Sequence, residues 1–60
     1  MNDVSQLIGI LKGAQADIAL SLANGNANSY EVYQRLVGEY RGLEQALKAI
    51  DQLLTEEEYD

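Results

Sequence analysis

The side chains best suited to chemistry in this 60-residue chain are the carboxylates bunched near its C-terminal end. Glu56, Glu57, Glu58 and Asp60 offer the oxygen ligands that Ca²⁺ and Mg²⁺ prefer. An EF-hand calcium loop, however, alternates its oxygen ligands and has a glycine at its sharp turn, and this run does neither. We therefore interpret the run as a solvated tail, and the sequence predicts no metal or cofactor site.

The other polar side chains do not form a catalytic set. The chain has no histidine and no cysteine, so it lacks the commonest general base, the commonest transition-metal ligand and any means of forming a disulfide. The serines and Thr55 therefore have no histidine partner, and Ser29 is better explained as part of a helix cap. Paired carboxylates would need a pocket to separate their pKa values, and so short a chain has little room for one. The sequence predicts a protein that is not an enzyme.

The charge balance is strongly acidic, with ten Asp or Glu residues against four Lys or Arg and a net charge of −6. Ordinary nucleic-acid binding requires a basic surface, and anionic membranes would repel such a chain. No apolar run approaches the ~20 residues of a membrane span. The opening MNDVSQ lacks the basic start of a signal peptide. We expect a cytoplasmic protein that binds neither nucleic acid nor membrane.

The first half of the chain predicts a helix over about residues 3–24. Asp3 and Gln6 have the spacing of a capping box, and Gly25 is a suitable stop after the last turn. The segment 25–28 is then a loop, because its glycine and asparagines tolerate left-handed backbone conformations. The apolar residues follow the helical period: Val4, Leu7, Ile8, Leu11, Ile18 and Leu22.

The second half predicts a helix over about residues 28–56. Asn28 and Glu31 form a candidate capping box, and the acidic end is expected to fray because the helix dipole disfavours acids there. Apolar residues recur in alternating steps of three and four, which is the heptad pattern of coiled-coil packing. They are Tyr33, Leu36, Tyr40, Leu43, Leu47, Ile50 and Leu54.

Two amphipathic helices joined by a short loop predict an all-α, antiparallel helical hairpin. If the turn is centred between Gly25 and Asn26, facing residues have numbers that sum to about 51. Leu53 and Leu54 would then extend past the start of the first helix without a partner in the chain. Because exposing two leucines is unfavourable for so small a domain, we expect a homodimer that packs as a four-helix bundle.

Two GxxxG patterns, GILKG at 9–13 and GEYRG at 38–42, lie opposite the apolar stripes of their helices. The side of the first helix with Gly9 and Gly13 also carries Ala16 and Leu20, with Ile10 nearby, so we expect a second protein surface to approach there. Gly38 and Gly42 lie among polar residues, so we expect this pair to face solvent. The predicted interface thus comprises the two apolar stripes together with Gly9 and Gly13.

Residues 33–54, which read YQRLVGEYRGLEQALKAIDQLL, resemble short open reading frames in the structural-gene regions of tailed bacteriophages. Those frames often carry a run similar to RLVGxYxGLxxAL before an acidic end. The resemblance covers about a third of the chain. It implies a small helical phage protein, present in the virion or acting in its assembly, and it carries over no functional residues.

Three classes of function are compatible with these features. The chain could be a structural or assembly module that self-associates and docks on a larger partner, an acidic inhibitor that mimics DNA, or an adaptor that holds another helix in a groove. A DNA mimic should show carboxylates in paired rows along one face. Here the acids are scattered through the second helix and bunched at its end. The sequence therefore favours the structural or assembly module.

Overall fold

The fold consists of two α-helices, α1 over Asn2–Ala23 and α2 over Tyr30–Tyr59. The computed structural model describes the backbone of residues 2–59 and the side chains of residues 3–56. Over residues 2–59 there is no strand, and α1 packs against α2 in an elongated body of 47 × 18 × 13 Å. The predicted all-α helical hairpin is confirmed.

A glycine ends α1. Gly25 has a φ of 76°, a left-handed conformation that costs glycine nothing in side-chain clashes. The Gly25 N–H donates to the Leu22 carbonyl at 3.1 Å, and the Asn26 N–H donates to the Ser21 carbonyl at 3.0 Å. These two bonds satisfy carbonyls that a helix end would otherwise leave unpaired, which is the Schellman arrangement. The predicted stop at Gly25 is confirmed.

The helices start within the predicted alternatives, Asn2 or Asp3 for α1 and Asn28 or Ser29 for α2, but the candidate capping boxes on Asp3 and Asn28 are not the caps observed. The Ser29 hydroxyl accepts a hydrogen bond from the Val32 N–H at 3.1 Å, so Ser29 and not Asn28 caps α2. Asparagine and serine cap helices about equally well, and the path of the loop after Gly25 selects between them. α1 begins at Asn2, which puts Asp3 inside its first turn and not at its cap.

The far end of α2 extends beyond the predicted limit at residue 56. Its backbone stays helical to Tyr59. The fraying predicted for the acidic tail concerns Asp60 and the side chains from Glu57 onward, which lie outside the described residues.

The register of the hairpin differs from the predicted one by about one helical turn. The Gln15 side-chain Nε2 donates to the Tyr40 carbonyl at 3.3 Å, so facing residues have numbers that sum to about 55 and not 51. The helix ends at Ala23 and Tyr30 account for half of this shift. Side chains also tilt toward the start of their own helix, which in an antiparallel pair displaces the facing residues further. Leu53 and Leu54 are 58% and 36% exposed in this register, so the expectation that they lack cover within the chain stays a prediction.

The hairpin does not enclose a core. None of the side chains described, from residue 3 to residue 56, is fully buried. The accessible surface is 4792 Å², whereas a compact protein of this mass exposes about 3,900 Å². In a two-helix hairpin each helix is covered by the other on one face only, so the apolar residues between them are half-buried at best.

Candidate functional site

The seam between the helices is formed mainly by the predicted stripes. The half-buried members are Ile8, Leu11, Ile18 and Leu22 in α1, and Leu36, Tyr40, Leu43, Leu47 and Ile50 in α2. The remaining members of the stripes lie at the ends of the hairpin and are exposed: Val4, Leu7, Tyr33 and Leu54. The structure thus brings together the middle of the predicted interface, while its ends remain open to solvent.

Gly9 and Gly13 border open space among the described residues. A methyl group added at either position would meet no atom within 4 Å, and the same holds for Gly38 and Gly42. All four glycines therefore face outward from the hairpin. The contact expected at Gly9 and Gly13 stays a prediction about a second protein surface.

Gln15 is a seam residue that the apolar pattern missed. It is half-buried, and its side-chain amide makes the hydrogen bond to Tyr40 that links the two helices. A count of spacing alone would have found it, because Ile8, Leu11, Gln15, Ile18 and Leu22 follow steps of three and four. A polar residue in such a seam favours a register in which its side chain finds a hydrogen-bond partner.

One long side of the hairpin, which we call the charged side, carries both acidic and basic residues. Its groove has an apolar floor that includes Ile8, Leu47 and Leu54. Long side chains that end in charges flank this floor, and their aliphatic stems can cover apolar surface while their charged ends reach water. The flanking charged residues are Lys12, Glu44, Lys48 and Asp51.

The opposite long side, which we call the apolar side, has a groove with smaller walls. Ala14 of α1 and Gly42 of α2 both line this groove, with Ile18 and Leu43 on its floor. The charged residues at this groove are Asp17 and Glu39, both acidic. With small residues at the rim, the seam on this side has less cover than on the charged side.

In the part of the chain that the structure describes, no group of three acidic, histidine or cysteine residues could hold a metal ion. Neither helix, over residues 2–59, has an apolar stretch long enough to cross a membrane. What the geometry presents is a set of exposed apolar side chains on an open hairpin, an arrangement suited to binding another protein surface.

No protein-family model, curated protein or solved structure matches this chain.

Proposed function

We propose that this chain is a non-enzymatic helical module that dimerises into a four-helix bundle and docks as a structural or assembly component on a larger protein partner. The observation that carries the proposal is the open seam. Among residues 3–56 the hairpin leaves large apolar side chains exposed and buries none completely. A chain below about 70 residues usually needs a disulfide, a bound metal or association to be stable.

The composition of the chain favours association among these three means. It has no cysteine, so no disulfide can form, and the described residues include no group that could hold a metal. Two hairpins that pack together would cover the half-buried seam from outside and form a common core. The partner that is always present in equal amount is a second copy of the chain, and two-fold dimers are the commonest oligomers.

The resemblance of residues 33–54 to phage open reading frames supports a role in a virion or in its assembly. The dimer would then act in the host cytoplasm or within the particle. A short, rigid helical bundle with a net charge of −12 per dimer, twice that of one chain, suits a spacer or adaptor on a larger assembly better than an enzyme.

Sedimentation equilibrium of the unmodified chain tests the dimer. We expect a dimer at about 10–100 µM, a range in which weak dimers form, and a melting temperature that rises with protein concentration. A folded monomer throughout this range would contradict self-association. The open seam would then be a docking surface for a different chain.

A further inference from the structure

We propose that the second copy docks on the apolar side, along a strip formed by Leu7, Ile10, Ala46 and Leu53. We call these four residues the apolar strip. The inference rests on the proposed dimer and adds which surface makes the contact. It excludes the charged side of the hairpin and the outer face of α1 that carries the glycines.

The strip continues the groove that runs between Ala14 and Gly42. Ile10 lies one turn before Ala14 on α1, and Ala46 lies one turn after Gly42 on α2, so both fall on the same side as that groove. Leu53 lies two turns beyond Ala46 and so extends the strip along α2. The strip thus spans both helices near the open end of the hairpin.

The side chains of the strip are exposed to an unusual degree for their type. Ile10 is 67% exposed, Leu53 58% and Leu7 45%. The residues next to them along the groove, Ala14 and Gly42, are too small to cover them. On the charged side, lysine stems can do this covering. Within residues 3–56, the large side chains of the strip therefore stay open to a second molecule.

Acids border the strip at both of its ends. Asp3 lies one turn before Leu7 on α1, and Glu56 lies one turn after Leu53 on α2, whereas Asp17 and Glu39 lie toward the loop. Each copy also carries a net charge of −6, so contact between two copies on this side works against a repulsion that salt screens.

The area available agrees with a second copy as the occupant. The chain exposes 4792 Å², about 900 Å² more than a compact protein of its mass. A stable interface between two proteins typically buries about 800 Å² on each partner. A dimer that removes this excess would therefore have an interface of ordinary size.

Two matched variants test the surface. Ile10→Glu places a charge in the strip, whereas Leu20→Glu makes the same kind of change on the outer face of α1, where Leu20 is 60% exposed. We expect Ile10→Glu to raise the dissociation constant at least about tenfold and Leu20→Glu to leave it nearly unchanged. Circular dichroism at the same concentrations shows whether each variant remains helical. If Leu20→Glu dissociates the dimer and Ile10→Glu does not, the contact lies on the glycine face.

Single cysteines give a measurement that does not depend on the stability of a charged variant. The natural chain has none, so Ile10→Cys and Leu20→Cys each introduce one unique thiol. In Ile10→Cys, the thiol should react with iodoacetamide more slowly as the protein concentration rises through the dimer range. In Leu20→Cys, the rate of this reaction should stay constant. Equal rates at all concentrations, for a chain that sedimentation shows to be a dimer, would overturn the strip but not the dimer.

The salt dependence of dimerisation distinguishes contact through the apolar side from contact through the charged side. Contact through an uncharged strip between acidic copies should strengthen as salt rises from about 0.05 to 0.5 M, because screening weakens their repulsion. Contact through the charged side, by ion pairs that involve Lys12 or Lys48, should weaken over the same range. Weakening would overturn the apolar strip. A monomer at every salt concentration would instead contradict the proposed dimer itself.

Discussion

The two long sides of the hairpin border the same seam with different side chains. On the charged side, Lys12 and Lys48 flank the apolar floor formed by Ile8 and Leu47. On the apolar side, Ala14 and Gly42 stand where long side chains could have stood, and the seam has less cover. Since the backbone is the same two helices in both cases, side-chain length and charge decide which side stays open. A two-helix protein can thus cover the seam with its own side chains on one side and leave it open to a partner on the other.

The largest change in the free energy of unfolding is expected from a substitution in the seam between the helices, which both long sides border. Leu47→Asp puts a charge between the helices in place of a half-buried leucine. We expect a loss of about 2–4 kcal/mol in the free energy of unfolding, from lost apolar burial and from poor solvation of the carboxylate. Thermal melts followed by circular dichroism measure it.

Gln45→Asp is the matched control for Leu47→Asp, because Gln45 is exposed on the same helix and gains the same charge. It should change the free energy of unfolding by less than about 0.5 kcal/mol. If both variants melt alike, the seam is not what stabilises the hairpin, and the comparison between its sides loses its basis.

A smaller effect is expected from the polar seam residue. Gln15→Leu extends the apolar heptad of α1 and should raise the free energy of unfolding by about 1 kcal/mol through added apolar burial. The same change removes the hydrogen bond to the Tyr40 carbonyl, so the hairpin should also populate a second register. Additional amide signals for residues near Tyr40 in an NMR spectrum would report it.

Gln45→Leu serves as the control for Gln15→Leu, since it adds the same leucine at an exposed position. It should produce a single set of amide signals and little change in melting. A lower stability for Gln15→Leu would mean that the hydrogen bond contributes more than apolar packing at this position, and would make the polar contact the main stabilising feature of the seam.

The smallest effect concerns the outward glycines. Gly38→Ala and Gly42→Ala should each stabilise by up to about 1 kcal/mol, because alanine favours the helix and its methyl group meets no atom of the chain. With the second copy on the apolar strip, Gly9→Ala and Gly13→Ala should behave in the same way. Concentration-dependent melts that instead show weakened association for Gly9→Ala or Gly13→Ala would move the contact from the strip to the glycine face.

Several features were determined by the sequence alone, because they depend on residues within about one turn of each other. The helical period of the apolar residues predicted both helices, and the glycine after Asn24 predicted the end of α1. The residues in the middle of the heptad pattern, from Leu36 to Ile50, are also half-buried, as expected for residues in the seam. Each of these follows from local geometry that any helix of this composition would share.

Other features were decided only by the tertiary structure, because they depend on how two distant segments meet. The tilt of side chains in opposed helices set the register that pairs Gln15 with Tyr40, one turn from the value expected for a symmetric loop. The same packing leaves Ile10 and Leu53 exposed. A pattern along one helix shows which face is apolar, but only the packing of both helices shows how much of that face remains uncovered.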